Sequence, residues 1–294
     1  MTQSTFTQPV PFEALLKKEI QQSVKYAIDE DLGGLSPNEG DVTANLIPAN
    51  NQLVADLITR EHCVFVGQAW VEAVFKHIDS QVVIQWFAQD GDTLQPNDRI
   101  CTLEGNARSI LTGERTAMNF VQTLSATATQ VSRYVALLKG SQTRLLDTRK
   151  TIPGLRYAQK YAVTCGGGFN HRIGLFDAYL IKENHIMACG SIEAAVHTAK
   201  SQHPEKTVEV EVENLQEFSQ ALEAGADVTM LDNFSYEDVE KAVQINQGRA
   251  KLEVSGNITN EHLTSLSKLG VDYISSGAIT KHIHAIDLSL RVRK

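Results

Sequence analysis

From residue 144 onward the chain repeats one pattern, a short apolar run that ends in polar residues and is followed by a stretch with helical spacing. The runs are RLLDTRK, AYLIKENH, TVEVEVEN, VTMLDN, KLEVSGN and YISSGAIT, and they predict strands centred on Leu146, Ile181, Val210, Leu231, Val254 and Ile274. The last three steps between centres are 21, 23 and 20 residues, the length of one βα unit. Helices are predicted between them. In NLQEFSQALEAGAD, Leu215, Phe218, Ala221 and Leu222 share one helical face and Gly225 marks the stop, and in NEHLTSLSKLGVD, Leu263, Leu266 and Leu269 with Gly270 repeat the design.

The first half has a different period. LVADLITREHCVFVG and VVIQWFAQDGDTLQPNDRICTLEG alternate apolar and polar residues around Gly and Pro-Asn turns, as antiparallel strands do. PFEALLKKEIQQSVKYAIDEDLG predicts a helix ahead of them. In SILTGERTAMNFVQTLSATATQVSRYV, Ala117, Phe120, Val121 and Leu124 line one helical face while Arg115, Asn119 and Gln122 line another. The patterns together predict an α/β chain with an N-terminal mixed, sandwich-like α/β domain over residues 1–116. An incomplete parallel α/β barrel follows over 117–282, and a C-terminal segment, 283–294, returns to the first domain.

Composition narrows the function. With 42% hydrophobic and 21% charged residues in 294, the chain has the makings of an ordinary globular core. A net charge of -8 leaves no basic footprint for nucleic acid. Cys63, Cys101, Cys165 and Cys189 are too scattered for a zinc site or disulfide framework, so reduced thiols are expected. No basic region followed by an apolar run opens the sequence, and no apolar stretch is long enough to span a bilayer. A cytoplasmic protein without a targeting segment and without a membrane partner is expected.

Against that acidic background, residues 147–185 gather Arg149, Lys150, Arg156, Lys160, His171, Arg172, Lys182 and His185 around the glycines of GGGFNHR. Local cations in an acidic chain imply a local anionic ligand. Barrels place their sites at the C-terminal strand ends, with phosphate on the loops after the last strands. The strand ends here supply Arg149 and Lys150, Lys182, Glu211, Asp232, Ser255-Gly256-Asn257 and Ser276-Gly277-Ala278. The two Ser-Gly loops precede helical stretches, where backbone N–H groups converge on phosphate. Glu211 and Asp232, one strand apart, suit Mg²⁺, although Glu209 and Glu213 share the parity of Glu211 and register decides among them. Lys182 has two readings, a Schiff-base lysine or a charge on phosphate, and its cationic surroundings favour the second.

The segments ERTAMNFVQTLSATAT, DTRKTIPGLRYAQKYAV, GGGFNHRIGLFDAYLIKENH, VEVEVEN, MLDNF, VSGNI and DYISSGAIT closely resemble quinolinate phosphoribosyltransferase, and EDLGGLSPNEGDVT extends the likeness towards the start. The segment GGLSPNEG, residues 33–40, is longer than the turn usual there. The resemblance implies transfer of phosphoribose from phosphoribosyl pyrophosphate to quinolinate, giving nicotinate mononucleotide, pyrophosphate and CO₂ with Mg²⁺. It also implies a homodimer whose active sites join the barrel of one subunit to the N-terminal domain of the other. Carried over by motif, Arg149, His171 and Arg172 meet the quinolinate carboxylates, with Arg115 entering from the partner chain. Thr148, Lys150, Lys182, Glu211, Asp232, Ser255, Gly256, Asn257, Ser276, Gly277 and Ala278 hold phosphoribosyl pyrophosphate, with Lys150, Glu211 and Asp232 in catalytic roles and Glu211 and Asp232 on the metal.

Arginine suits a flat carboxylate because its planar fork donates two parallel hydrogen bonds, whereas lysine acts as a point charge on phosphate. GGGFNHR serves as a flexible approach that closes His171 and Arg172 on the ring, or as a tight turn. Three other readings are weighed: a transferase acting on a monocarboxylate, a Schiff-base aldolase using Lys182, and a phosphate-ligand binding protein without turnover.

Overall fold

The alternating first half and the repeating second half fold as two kinds of sheet in the computed structural model, which describes residues 12–293. The described residues begin with α1 (Phe12–Leu32), α2 (Pro37–Gly40), a 3-10 turn (Ala44–Leu46), β1 (Gln52–Thr59), β2 (Cys63–Val64) and α3 (Gln68–Ile78). It continues with β3 (Val83–Trp86), β4 (Thr93–Leu94), β5 (Arg99–Asn106), α4 (Ala107–Leu137), β6 (Arg144–Leu146) and α5 (Arg156–Cys165). Next come β7 (Tyr179–Ile181), α6 (Glu183–Cys189), α7 (Ile192–Gln202), β8 (Val208–Val212), α8 (Leu215–Glu223), β9 (Val228–Asp232) and α9 (Tyr236–Asn246). The last elements are β10 (Lys251–Ser255), α10 (Asn260–Leu266), β11 (Tyr273–Ser275), α11 (Ala278–Lys281) and β12 (Leu288–Val292).

One compact unit comprises Phe12–Val131, Ile152–Gly166 and the segment from His282. Its four-stranded antiparallel sheet has the order β12-β1-β5-β3, and β12 pairs with β1 from Ala55 opposite Val292 to Thr59 opposite Leu288. Phe65, Trp70, Phe75, Ile100, Val121 and Leu124 are fully buried in its core. The buried polar residues of SATAT in α4 have a specific task there. Thr129 Oγ1 accepts the Val64 N–H and Ser125 Oγ the Val66 N–H, each at 2.9 Å, so a buried extended segment is hydrogen-bonded by a helix instead of a strand. The boundary expected at 116/117 falls inside α4, because the buried face of this single helix runs on to Val131 and stays with the first unit.

The other unit comprises Ser132–Thr151 and Gly167–Lys281 and contains a six-stranded parallel sheet of order β6-β11-β10-β9-β8-β7. All six predicted strand centres lie within its strands. Among the described residues β6 and β7 do not pair with each other, and beyond β6 there is a single parallel bridge, Leu146 with Phe169, so the sheet does not close, in keeping with an incomplete barrel. Val208, Val210 and Val212 face the helical layer, while Glu209 and Glu211 alternate onto the opposite, inner face. Polar side chains at the turns before α7, α8 and α9 start these helices. Ser191 accepts from Ala194 N, Asn214 from Gln216 N and Glu217 N, and Ser235 from Asp238 N. No described helix is long and apolar enough to cross a membrane.

Candidate active site

Parallel strands turn all their C-terminal ends to one edge, so the residues that follow β6 to β11 gather there. Register decides which acids face the site. Ile181 pairs with Val210, which sets Lys182 level with Glu211, and these two side chains form an ion pair. Glu209 lies one pleat deeper and is fully buried, whereas Glu213 is past the strand and exposed, its N–H donating to Glu217 Oε2 at 2.9 Å. Glu211 is therefore the half-buried carboxylate at the strand end.

Asp232 ends β9 opposite Ser255 of β10. Its Oδ2 accepts from Asn233 Nδ2 at 2.9 Å, and the Asn233 N–H donates to the Ser255 carbonyl at 3.0 Å. Gly256 permits this close approach, since at φ +136° its chain passes where a Cβ would stand 2.6 Å from Asn233 Oδ1. Asp232 and Ser255-Gly256-Asn257 thus form one loop cluster. Glu211 and Asp232 present hard carboxylate oxygens from adjacent strands, the donor type that Mg²⁺ takes.

A second cluster joins the loops after β6 and β11. Lys150 N donates to Thr148 Oγ1 at 3.0 Å, and the Lys150 carbonyl accepts from Thr280 Oγ1 at 2.8 Å. Ser276 N donates to the Leu146 carbonyl at 3.1 Å, and Ser276 Oγ accepts from Ala278 N at 3.3 Å. Gly277 lies directly under Lys150 and Thr148.

Asp147, fully buried at the end of β6, holds the segment after the three glycines. Its Oδ2 accepts from Asn170 Nδ2 at 2.6 Å and its Oδ1 from His171 N at 3.0 Å. His171 and Arg172 are 4% and 8% exposed, so the segment is packed into the unit instead of standing out as an arm. The Arg172 N–H donates to His171 Nδ1 at 2.8 Å, and Arg172 Nη1 to the Ala178 carbonyl at 3.3 Å. His171 Nε2 lies 2.8 Å from Glu209 Oε2 and 3.6 Å from Glu253 Oε2. Burial, and then the nearby Arg149, draw the pKa of Arg172 below its ordinary value. Burial pushes the Glu209 and Glu253 carboxyls above the usual carboxylate range.

Glu253 was not visible as a functional residue from the sequence pattern, and Glu209 entered only as an alternative to Glu211. A signal existed in KLEVSGN, where a glutamate between Leu252 and Val254 has the parity of Ser255 and therefore faces inward. Arg115 belongs to the other unit. It is exposed on α4 and borders a groove of about 840 Å³ with Tyr26, Asp31, Asn119, Thr123 and Leu155. Chemically, the strand ends combine two arginines, two lysines, two loops of small residues and two acids, a set for a substrate carrying carboxylates and phosphates.

Comparison with known proteins agrees. Residues 127–291 match the quinolinate phosphoribosyl transferase C-terminal domain and residues 41–125 its N-terminal domain. The chain is 37% identical over 275 residues to a Bacillus subtilis (strain 168) protein named probable nicotinate-nucleotide pyrophosphorylase (carboxylating), a span covering 93% of each. It is 36% identical over 294 residues to the chloroplastic nicotinate-nucleotide pyrophosphorylase (carboxylating) of Arabidopsis thaliana, covering 93% of this chain and 83% of that one. The solved structure of the nicotinate-nucleotide pyrophosphorylase from Francisella tularensis matches with a TM-score of 0.91 and 50% identity, over 100% of both chains.

Proposed function

The chain belongs to the quinolinate phosphoribosyltransferase family, and from that premise we propose how its own residues perform the decarboxylating transfer of phosphoribose from phosphoribosyl pyrophosphate to quinolinate. The products are nicotinate mononucleotide, pyrophosphate and CO₂, a step of NAD biosynthesis. The observation that carries the site assignment is the burial of Arg172, on the unit that also carries Arg149 and holds Lys150 over Gly277. Two arginines for a dicarboxylate and a lysine-covered glycine turn for phosphate divide the site between the two substrates.

Arg149 and Arg172 hold the quinolinate carboxylates, with His171 beside them, and so fix the ring nitrogen towards the ribose. Thr148, Lys150, Lys182 and the loops Ser255-Gly256-Asn257 and Ser276-Gly277-Ala278 receive the phosphates. Glu211 and Asp232 hold Mg²⁺, which when bound offsets the charge on the departing pyrophosphate. The pyridine nitrogen forms a bond to the anomeric carbon as the bond to pyrophosphate breaks, so no protein nucleophile is needed and orientation supplies much of the rate. The carboxylate next to the now positive nitrogen then leaves as CO₂. Its electron pair stays on the ring carbon, stabilised by that nitrogen, until a proton replaces it. The protein's part in this stage is to keep the carboxylate poorly hydrated.

A homodimer completes the site, with Arg115 entering from the second copy. Its exposed place beside a large groove on α4 supports this reading. The four cysteines are free, as suits the reducing cytoplasm. The test is an assay with Mg²⁺, phosphoribosyl pyrophosphate and carboxyl-labelled quinolinate, with nicotinate as the parallel substrate. Equal yields of CO₂ and nicotinate mononucleotide, and none from nicotinate, are expected. Reaction of nicotinate alone would reassign the arginine pair, and reaction of neither would set the activity aside.

A further inference from the structure

Thr280 is the one hydroxyl in the AITK segment that forms α11, and the transfer chemistry gives it no task. Its side chain is fully buried. A buried hydroxyl is costly unless it is hydrogen-bonded, and a helical threonine usually bonds a carbonyl one turn back. Such a carbonyl is within reach, since Gly277 O lies 3.5 Å from Thr280 Oγ1. The hydroxyl nevertheless makes its shorter bond elsewhere, donating at 2.8 Å to the carbonyl of Lys150, 130 residues earlier in the chain. A hydroxyl has one hydrogen to give, so the better bond is the one that leaves the helix.

That bond closes a frame around Lys150. Ser276 N donates to the Leu146 carbonyl at 3.1 Å, at the start of the loop that carries Lys150, and Thr280 holds the loop further on. Lys150 N donates to Thr148 Oγ1 at 3.0 Å, so the peptide groups on both sides of Lys150 are fixed. Gly277, between the two points of attachment, lies under the lysine stem. A lysine has a long, flexible stem and loses much rotamer freedom when it is held in one place. Fixing its base and resting its stem on the Gly277 turn removes part of that loss before phosphate arrives. The place of α11 in the fold does not depend on the hydroxyl, because Ile279 beside it is a fully buried apolar anchor.

We propose that Thr280 is a positioning residue for phosphoribosyl pyrophosphate, its hydroxyl fastening the Lys150 peptide to the turn after β11. The lysine and the Ser276-Gly277-Ala278 loop then meet the phosphates as one preformed surface, although they come from opposite ends of the unit's sequence. The inference rests on the reading of Lys150 as a phosphoribosyl pyrophosphate ligand.

Steady-state kinetics and thermal unfolding of the full-length protein test it. Thr280→Val keeps the shape of the side chain and removes the donor. It is expected to raise the KM for phosphoribosyl pyrophosphate about tenfold, the worth of one orienting hydrogen bond. The KM for quinolinate should stay near the wild-type value, because the Arg149 carbonyl keeps its own bond from the Thr151 N–H at 3.0 Å. The melting temperature should change little, since Lys150 is exposed and water can replace the lost donor. Thr280→Ser restores a hydroxyl and should restore the KM. In a Lys150→Ala background Thr280→Val should add nothing, because the threonine acts through the lysine. Thr280→Ala serves the same comparisons if Thr280→Val does not fold. A folded Thr280→Val or Thr280→Ala with an unaltered KM for phosphoribosyl pyrophosphate would overturn the proposal. So would an equal rise in both KM values, a Thr280→Ser no better than Thr280→Val, or a full effect of Thr280→Val in the absence of Lys150. Any of these, with an active wild type, leaves the functional reading standing, whereas wild-type protein that uses neither substrate removes that reading and the proposal with it.

Discussion

A Cβ placed on Gly277 would stand 2.7 Å from Cδ of Lys150 and 3.3 Å from Thr148 Oγ1. The turn before α11 is therefore the floor on which the lysine rests, and Gly277→Ala must push Lys150 away from the place where it meets phosphate. A charge-assisted hydrogen bond of this kind contributes about 1.5–3 kcal/mol, so kcat/KM for phosphoribosyl pyrophosphate should fall roughly 10-fold to 150-fold. Gly277 does not have a positive φ, so thermal stability should change little. Kinetics of Gly277→Ala, Lys150→Ala and the double variant check the cause, since the double should be no worse than Lys150→Ala alone.

Arg172 is buried, and burial and then the positive charge of Arg149 draw its pKa down, a cost that a bound anion would offset. Arg172→Ala should cost about 2–5 kcal/mol in the use of quinolinate, or roughly 30-fold to several thousand-fold in kcat/KM. The assay varies quinolinate at saturating phosphoribosyl pyrophosphate. Unchanged quinolinate use in a folded variant would remove Arg172 from the site.

The two members of the Lys182 and Glu211 ion pair should separate under Mg²⁺ titration. If Glu211 and Asp232 hold the ion, Glu211→Gln and Asp232→Asn raise the half-saturating Mg²⁺ concentration at least about tenfold. Lys182→Ala should lower the use of phosphoribosyl pyrophosphate without demanding more Mg²⁺. Equal Mg²⁺ dependence in all three variants would place the ion elsewhere.

Much of this site was legible because a parallel strand carries a strong signal. Apolar runs bounded by Gly, Asn and Ser marked all six strand centres of the parallel sheet, and with them the level of Lys182, Glu211 and Asp232. What escaped was what register and burial alone decide. Glu209, Glu211 and Glu213 have one parity in the sequence, and only the pairing of Ile181 with Val210 shows which reaches the rim. Glu253 was hidden because a glutamate inside a strand reads as a solvated position until the inner face proves closed to water. Helix α3 went unpredicted between β2 and β3, since VGQAWVEAVFKHI begins with a strand-like valine and a glycine and has no Ser, Thr, Asp or Asn at its start. The hydroxyls of SATAT gave no sign in the sequence of their task, which is to hydrogen-bond the buried extended segment at Val64 and Val66.

Arg115 and Lys150 lie in different compact units, so the proposed dimer makes a stoichiometric prediction. If each site takes Arg115 from one copy and Lys150 from the other, mixed Arg115→Ala and Lys150→Ala chains form hybrids with one intact site of two. Random exchange makes half the dimers hybrid, so about a quarter of wild-type activity should return. No recovery, with subunit exchange shown by differently tagged chains, would count against a shared site.

Glu19 of α1 caps α5 from outside that helix, accepting the Tyr157 N–H at Oε2 at 3.0 Å and the Ala158 N–H at Oε1 at 2.7 Å. Its carboxyl is 9% exposed, and burial outweighs the two amides and Arg156 to leave its pKa above the ordinary value. A carboxyl whose folded pKa exceeds its unfolded one binds its proton more tightly in the native state. Its stabilising contribution is therefore complete below the unfolded value, about 4.3, and declines as pH rises through the folded one. Glu19→Gln keeps an acceptor for the α5 amides without the charge. Its stability relative to wild type should accordingly improve as pH rises from mild acid to neutrality. Glu19→Ala removes the cap at every pH and should cost about 1–2 kcal/mol. Thermal unfolding of the three proteins across that pH range is the measurement. A Glu19→Gln curve that falls away from wild type towards neutrality would show that the capping amides, not burial, govern this carboxyl.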